Sequence, residues 1–223
     1  MFESFMGCGG QLPLPRQFLK RGHKLIQRSC GISIADEVQT GFGRIGNHFW
    51  AFDFFDIKPD IVTLGKSMGN GFPLSAVITT KEIASRFDNG MEYFNSFGGN
   101  PVSSVVGNTV LKIIADEGLQ ENAKDVGQYL KRQLLELKLK NPIFEDVRGE
   151  GLFLGIEIVD LEKDKTPHSK LANYIVNKMR DKSILLSVDG PKKNIIKIKP
   201  PLPFNKENAD FLVENFYKVL LSL

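Results

Sequence analysis

The chain has 223 residues, 42% of them hydrophobic and 25% charged, with a formal net charge of +3. These values suit a folded globular chain with a sizeable core and exclude disordered and fibrous classes. The charge is too small and too evenly spread for a nucleic-acid binder, and no apolar run approaches the roughly twenty residues that span a bilayer. Cys8 and Cys30 cannot make a disulfide framework and lack a paired metal spacing, so no metal site is expected. His23, His48 and His168 are scattered and are expected at the surface or in turns. Glu3 stands where a secretory signal would carry bases, so export is not expected and a reducing compartment fits.

Strand-like and helix-like runs alternate along the chain. Gly31 to Val38 is a short apolar run closing on acids, which predicts a buried strand whose C-terminal end opens into a site. Asp60 to Leu64 reads the same way, and Pro73 to Thr79 supplies a third strand. Pro101 suits the first position of a helix reaching about Ala115, with Val102, Val105, Val106, Val110, Ile113 and Ile114 as its apolar face. Leu119 to Leu139 is a second helix with a leucine stripe. Gly151 to Val159 and Ile195 to Ile198 are strand-like, around a helix from about Ser169 to Asp181. A last helix runs from Asn205 or Lys206 to Leu221, with Asn205 as its N-cap. Composition changes near residue 118, dividing an α/β part, residues 1–117, from a smaller α+β part, residues 118–223.

In open α/β sheets ligands gather at the carboxyl ends of strands, and both Asp36 and Lys66 fall at such ends. One lysine amine and one buried carboxylate are what pyridoxal phosphate chemistry needs. The amine forms a Schiff base with the cofactor aldehyde, and the carboxylate keeps the pyridine nitrogen protonated. Gly65-Lys66-Ser67 looks like the end of a phosphate-binding loop, but the glycine required five positions before Gly65 is Asp60, whose charge would repel a phosphate.

The segment Ile34-Ala35-Asp36-Glu37-Val38-Gln39-Thr40-Gly41-Phe42-Gly43-Arg44-Ile45-Gly46 resembles the signature of class III pyridoxal-phosphate-dependent aminotransferases. Pro59 to Lys66 with Met68 to Gly71, Ser96 to Pro101, and Arg148 to Leu152 are similar to three further blocks of that family, in its order. The resemblance implies the fold-type I arrangement of pyridoxal-phosphate-dependent transferases. It covers nearly all of this chain but only the C-terminal half of a complete member: part of the cofactor-binding large domain, then the small domain. The other half would supply the turn that holds the cofactor phosphate and the aromatic that stacks on its ring.

By that resemblance Lys66 is the Schiff-base lysine and the base that moves the substrate proton, and Asp36 pairs with the ring nitrogen. Val38 packs on the ring, and Gln39 meets its phenolic oxygen. Ser96 stands at the family's usual threonine, whose hydroxyl reaches the cofactor phosphate of a neighbouring subunit, so a homodimer with a shared active site is implied. Arg44 and Arg148 are expected to be structural. The resemblance further implies residence in the mitochondrial matrix or the cytoplasm.

Two departures narrow the choice. Where the family's transaminases place a glutamate and an arginine beside the substrate carboxylate, this chain has Cys8 and Lys197, and lysine is the weaker bidentate clamp. With Ser4 to Gln11, Met91 to Asn95, Ser187 to Pro191 and Lys197 to Pro201, the chain resembles most the branch of ethanolamine-phosphate and 5-phosphohydroxy-lysine phospho-lyases. That implies elimination of phosphate from a phosphorylated amine, with Lys192, Lys193, Lys197 and Lys199 as unranked cations for the phosphate. Two other readings stay open: an ordinary aminotransferase using a 2-oxo acid, and a truncated, non-catalytic fragment.

Overall fold

The computed structural model describes residues 1–223, a mixed α/β chain. Its strands are β1 (Phe2–Glu3), β2 (Phe5–Met6), β3 (Leu12–Pro13), β4 (Ile34–Asp36), β5 (Ile61–Leu64), β6 (Ala76–Thr79), β7 (Phe144–Glu150), β8 (Phe153–Asp160), β9 (Thr166–Pro167), β10 (Ser187–Asp189) and β11 (Ile195–Ile198). Its helices are α1 (Arg16–Arg28), α2 (Lys81–Phe87), α3 (Pro101–Asp116), α4 (Leu119–Lys140), α5 (Ser169–Arg180) and α6 (Lys206–Leu220). Two compact units form. The first holds Met1–Ser4, Leu14–Phe42 and His48–Gly118, and the second Phe5–Pro13, Gly43–Asn47 and Leu119–Leu223.

The first unit is built on a sheet of order β1-β4-β5-β6, parallel from β1 to β5 and closed by antiparallel β6. Glu3, Asp36 and Thr63 stand side by side in its register. Between β4 and β5 the chain turns through a short 3-10 helix, Ala51–Phe55, in which Ala51 and Phe55 are buried. Phe42 packs edge-to-face on Phe49 and Trp50, with ring centroids at 5.6 and 5.3 Å, so aromatic contacts hold the connection closed. Helix α1 buries Leu19 and His23, four residues apart and therefore on one face. His23 is thus a packed residue and not the surface or turn residue expected of it, while His168 caps α5 by accepting the Leu171 N–H at 3.3 Å.

Helix α3 starts at Pro101 with the Asn100 side chain accepting the Ser103 N–H at 2.9 Å. Its valines do not form the inner face expected of them: Val102 is 61% and Val105 64% exposed. The helix seats instead through Ser103, Gly107 and Ile114. A Cβ at Gly107 would lie 2.5 Å from Leu74 Cδ2, so the smallest residue governs the approach.

The second unit packs α4, α5 and α6 with the antiparallel sheet β10-β11-β8-β7, to which β9 adds at β8. Ala123, Val126, Leu130, Leu134 and Leu137 repeat every three or four residues along α4. They share a core with Leu154, Ile156 and Ile158 of β8, at the spacing of two that a strand imposes, and with Ala172, Ile175, Leu212 and Phe216. A Cβ at Gly127 would sit 2.3 Å from the Gly151 carbonyl carbon, so α4 lies directly on the β7–β8 turn. Asn205 caps α6 in a reciprocal box with Asn208, at 2.8 and 3.2 Å.

Candidate active site

In the first unit β4 and β5 are adjacent and parallel, so their carboxyl ends open on the same sheet edge. Asp36 ends β4, and Lys66 follows Leu64, the last residue of β5, by two positions. The Asp36 Oδ1 accepts the Val38 N–H at 3.0 Å, which fixes the carboxyl group against the turn that leaves the strand. Val38 in turn lies against Gly65, where a Cβ would be 3.6 Å from its Cγ1. Val38 therefore stands between the Asp36 carboxyl and the backbone preceding Lys66.

Lys66 is exposed, at the start of a 3-10 turn Lys66–Met68, and borders an open cleft of about 440 Å³ with Ser67, Asn70, Gly71, Phe72 and Pro73. Its φ of 39° is left-handed, a conformation that costs a non-glycine residue about 1–2 kcal/mol and that gathers at functional sites. Gln39 is half-buried in the turn after Val38. Ser96 lies in the exposed stretch between α2 and α3, flanked by Phe94 and Phe97, which are 80% and 83% exposed.

The sequence expectation of a buried carboxylate at Asp36 needs correction. Successive side chains leave a strand on opposite faces, and the acid that turns inward is Glu37: it is fully buried, whereas Asp36 is half-buried. Burial pushes the Glu37 carboxyl up to about 7, against the opposing pull of hydrogen bonds from Ala51 N–H, the Thr40 hydroxyl and Phe52 N–H. The Asp53 charge pushes it further in the direction of burial.

The four candidate lysines of the second unit separate by their surroundings. Lys197 Nζ is 2.9 Å from Asp189 Oδ2 across the β10–β11 hairpin. The buried Gln11 side chain donates to that same oxygen at 3.1 Å and to the Gly7 carbonyl at 2.8 Å. Lys199 Nζ lies 4.1 Å above the Phe153 ring, a cation–π contact. Lys192 and Lys193 are exposed in the hairpin loop. Cys8 is exposed in the loop that Gln11 anchors, and its carbonyl accepts the Gly190 N–H at 3.1 Å.

Arg44 and Arg148, expected to be structural, both make contacts within the second unit. Arg44 donates to the carbonyls of Leu152 and Pro200. Arg148 donates to the Gly10 carbonyl at 2.9 Å and pairs with Asp146 and Glu157 at 3.0 and 2.6 Å. Nothing in the sequence singles out the contacts of Glu37, Asp189 and Gln11. The Asp189-Gly190 step is a turn signal that foreshadows the hairpin, but the pairing of Asp189 with Lys197 and Gln11 needs the folded chain.

Comparison with known proteins agrees with this geometry. The model of the aminotransferase class-III family matches residues 1–220. The alanine–glyoxylate aminotransferase 2-like protein of Drosophila melanogaster is 45% identical over 223 residues, covering 99% of this chain and 45% of that protein. Ethanolamine-phosphate phospho-lyase homolog 1 of Caenorhabditis elegans is 45% identical over 209 residues, covering 92% of this chain and 45% of that protein. A phospholyase from Arthrobacter, solved in complex with phosphoethanolamine, superposes with a TM-score of 0.96 at 37% identity, over 100% of this chain and 53% of that one. The chain thus spans about half the length of the relatives it matches. It belongs to the class-III aminotransferases, a family of pyridoxal-phosphate-dependent enzymes that includes phospho-lyases.

Proposed function

We propose that the chain forms part of a pyridoxal-phosphate-dependent phospho-lyase that removes phosphate and ammonia from a phosphorylated amino alcohol, of the ethanolamine phosphate or phosphohydroxylysine kind. The observation that carries this reading is the likeness, along the whole chain, to a phospholyase solved with phosphoethanolamine. Lys197 supports it: a lysine is a point charge suited to phosphate, where an arginine fork would favour a carboxylate.

The donor set fits the cofactor. An exposed amine at Lys66, a half-buried carboxylate at Asp36 and the apolar side chain of Val38 gather at one sheet end. Pyridoxal phosphate, when bound, supplies an electron sink for the pair left on the substrate carbon. Asp36 would hold a proton on the ring nitrogen through its charge, Val38 would cover one ring face, and Gln39 would meet the phenolic oxygen. Lys66 Nζ would accept the proton from the carbon that carries the substrate amine. The neighbouring C–O bond then breaks, and its electron pair leaves with the phosphate. With one water consumed, ethanolamine phosphate gives acetaldehyde, ammonia and inorganic phosphate.

We further propose that two copies share the site. The exposed Met91, Tyr93, Phe94 and Phe97 around Ser96 form an apolar surface of the kind that a second copy covers, and Ser96 would there reach the cofactor phosphate of the partner. Amino transfer to a 2-oxo acid is the second reading, favoured by the relative named for alanine–glyoxylate transamination.

Borohydride reduction with pyridoxal phosphate, followed by peptide mass mapping, tests the site, and phosphate release from ethanolamine phosphate tests the reaction. A phosphopyridoxyl adduct confined to Lys66, with phosphate release that needs no 2-oxo acid, supports the lyase. An adduct at Lys66 with turnover only when a 2-oxo acid is added supports the transaminase. Labelling scattered over surface lysines would mean that this chain does not form the site by itself.

A further inference from the structure

We propose that Glu37 is a positioning residue for the turn that carries Asp36, Val38 and Gln39, with its buried carboxylate tying that turn to the 3-10 helix at Ala51–Phe55. The proposal rests on the reading of Asp36 and Val38 as cofactor contacts. Glu37 itself touches no reacting group in that chemistry.

The geometry is closed on every side. Glu37 Oε2 accepts the Ala51 N–H at 3.0 Å and the Thr40 hydroxyl at 2.9 Å, and Oε1 accepts the Phe52 N–H at 2.9 Å. The backbone is fixed as well. Glu37 N–H donates to the Thr63 carbonyl at 3.0 Å, extending the β4–β5 ladder by one bond, and the Glu37 carbonyl accepts the Gly41 N–H at 3.0 Å. One residue therefore joins the end of β5, the turn at 38–41 and the start of the 3-10 helix.

The arrangement is also tight. A Cβ at Gly41 would lie 2.9 Å from Trp50 Cζ3 and 3.0 Å from the Glu37 carbonyl, so only glycine fits where the turn meets the aromatic layer. On its other side Val38 is against Gly65, the residue before Lys66. A displacement of the Glu37 turn is transmitted to the Asp36–Val38 hydrogen bond and to the backbone from which Lys66 departs.

Energetics point the same way. A buried carboxylate carries a desolvation cost that an aliphatic residue of similar volume would avoid. What the carboxylate adds is direction: two backbone N–H groups and one hydroxyl can be satisfied together only with the turn and the 3-10 helix in one relative placement. The charge it faces is that of Asp53, on the same 3-10 helix.

The test is amide hydrogen exchange, followed by NMR, on the 223-residue chain and on Glu37→Gln. Asp60→Ala, which removes the acceptor for Ser33 at the opposite end of β4, serves as a comparably placed control. Glu37→Gln is expected to speed exchange at Ala51 and Phe52, and also at Val38, whose N–H bonds Asp36, by at least about tenfold over the control. In the same samples, pyridoxal phosphate titration read by absorbance is expected to show at least about tenfold weaker binding in Glu37→Gln. Faster exchange at Ala51 and Phe52 with Val38 unchanged would overturn the proposal, since Glu37 would then serve the 3-10 helix alone. If the unaltered chain takes up no cofactor, the cofactor reading fails while the Val38 exchange still decides the positioning role. If Glu37→Gln does not fold, Glu37→Asp, too short to reach both amides, is judged by the same Val38 criterion.

Discussion

Lys197 Nζ lies 2.9 Å from Asp189 Oδ2, and the buried Gln11 donates to the same carboxylate oxygen at 3.1 Å. Lys197 is thus aimed by a carboxylate that is itself aimed, whereas Lys192 and Lys193 sit exposed in the hairpin loop. A fixed cation meets an anion without first losing the rotamer freedom of a free lysine.

Lys197→Met is therefore expected to raise the KM for ethanolamine phosphate by about tenfold or more, the worth of one charge-assisted hydrogen bond. Lys192→Met, removing an exposed charge, should change it less than about twofold. Phosphate release measured over a range of substrate concentrations checks both. A larger effect of Lys192→Met than of Lys197→Met would assign the anion to the hairpin loop.

Lys66 holds a left-handed backbone with φ 39°, which predicts a separation of chemistry from stability. Lys66→Gly and Lys66→Ala should both abolish the phosphopyridoxyl adduct in mass mapping. Only Lys66→Gly relieves the backbone, with a gain of up to about 1 kcal/mol in urea unfolding. A loss of stability in Lys66→Gly would mean that its backbone is not strained.

Helices α3 and α4 make opposite predictions for apolar substitutions. Leu130 is fully buried in the core of the second unit, so Leu130→Ala should cost about 2–5 kcal/mol. Val105 is 64% exposed, so Val105→Ser should cost less than about 0.5 kcal/mol in a dilute monomer. Urea unfolding at low protein concentration checks both. A concentration-dependent loss in Val105→Ser would show that a second copy covers this face.

The same contrast explains what was legible in the sequence. Helices α4, α5 and α6 and strand β11 follow from periodicity because their apolar residues face a core within the second unit. In α3 the valine pattern is real, but Val102 and Val105 point outward and the seat is made by Ser103 and Gly107. Helix α1 is harder to read because it buries only Leu19 and His23 among many charges, and β7 because a register shift between Phe144 and Asp146 interrupts its alternation. Within the proposed site, Asp36 and Lys66 stand out in the sequence because each closes an apolar run. Glu37 and Asp189 are not, because their roles depend on partners far along the chain, Ala51 and Phe52 for one and Lys197 and Gln11 for the other.

Glu37 also predicts how stability depends on pH. Burial raises its carboxyl from the ordinary 4.5 to about 7. Between those values the folded chain holds a proton that the unfolded chain has released, so this group lowers stability as pH rises from about 4.5 to about 7. The full cost, roughly 3 kcal/mol from the size of the shift, is present above pH 7 and absent below 4.5. Asp60 acts in the other direction and at lower pH. Hydrogen bonds from the Ser33 N–H and hydroxyl hold its carboxyl below the ordinary 3.8, so its contribution is complete above that value and is lost as pH falls through its lower folded pKa. Urea unfolding at pH 5, 6, 7 and 8 isolates Glu37 by comparison with Glu37→Gln. The unaltered chain should lose stability across this range relative to the variant, whatever the variant's absolute stability. Parallel curves would mean that Glu37 is fully ionised throughout, with its three donors outweighing burial.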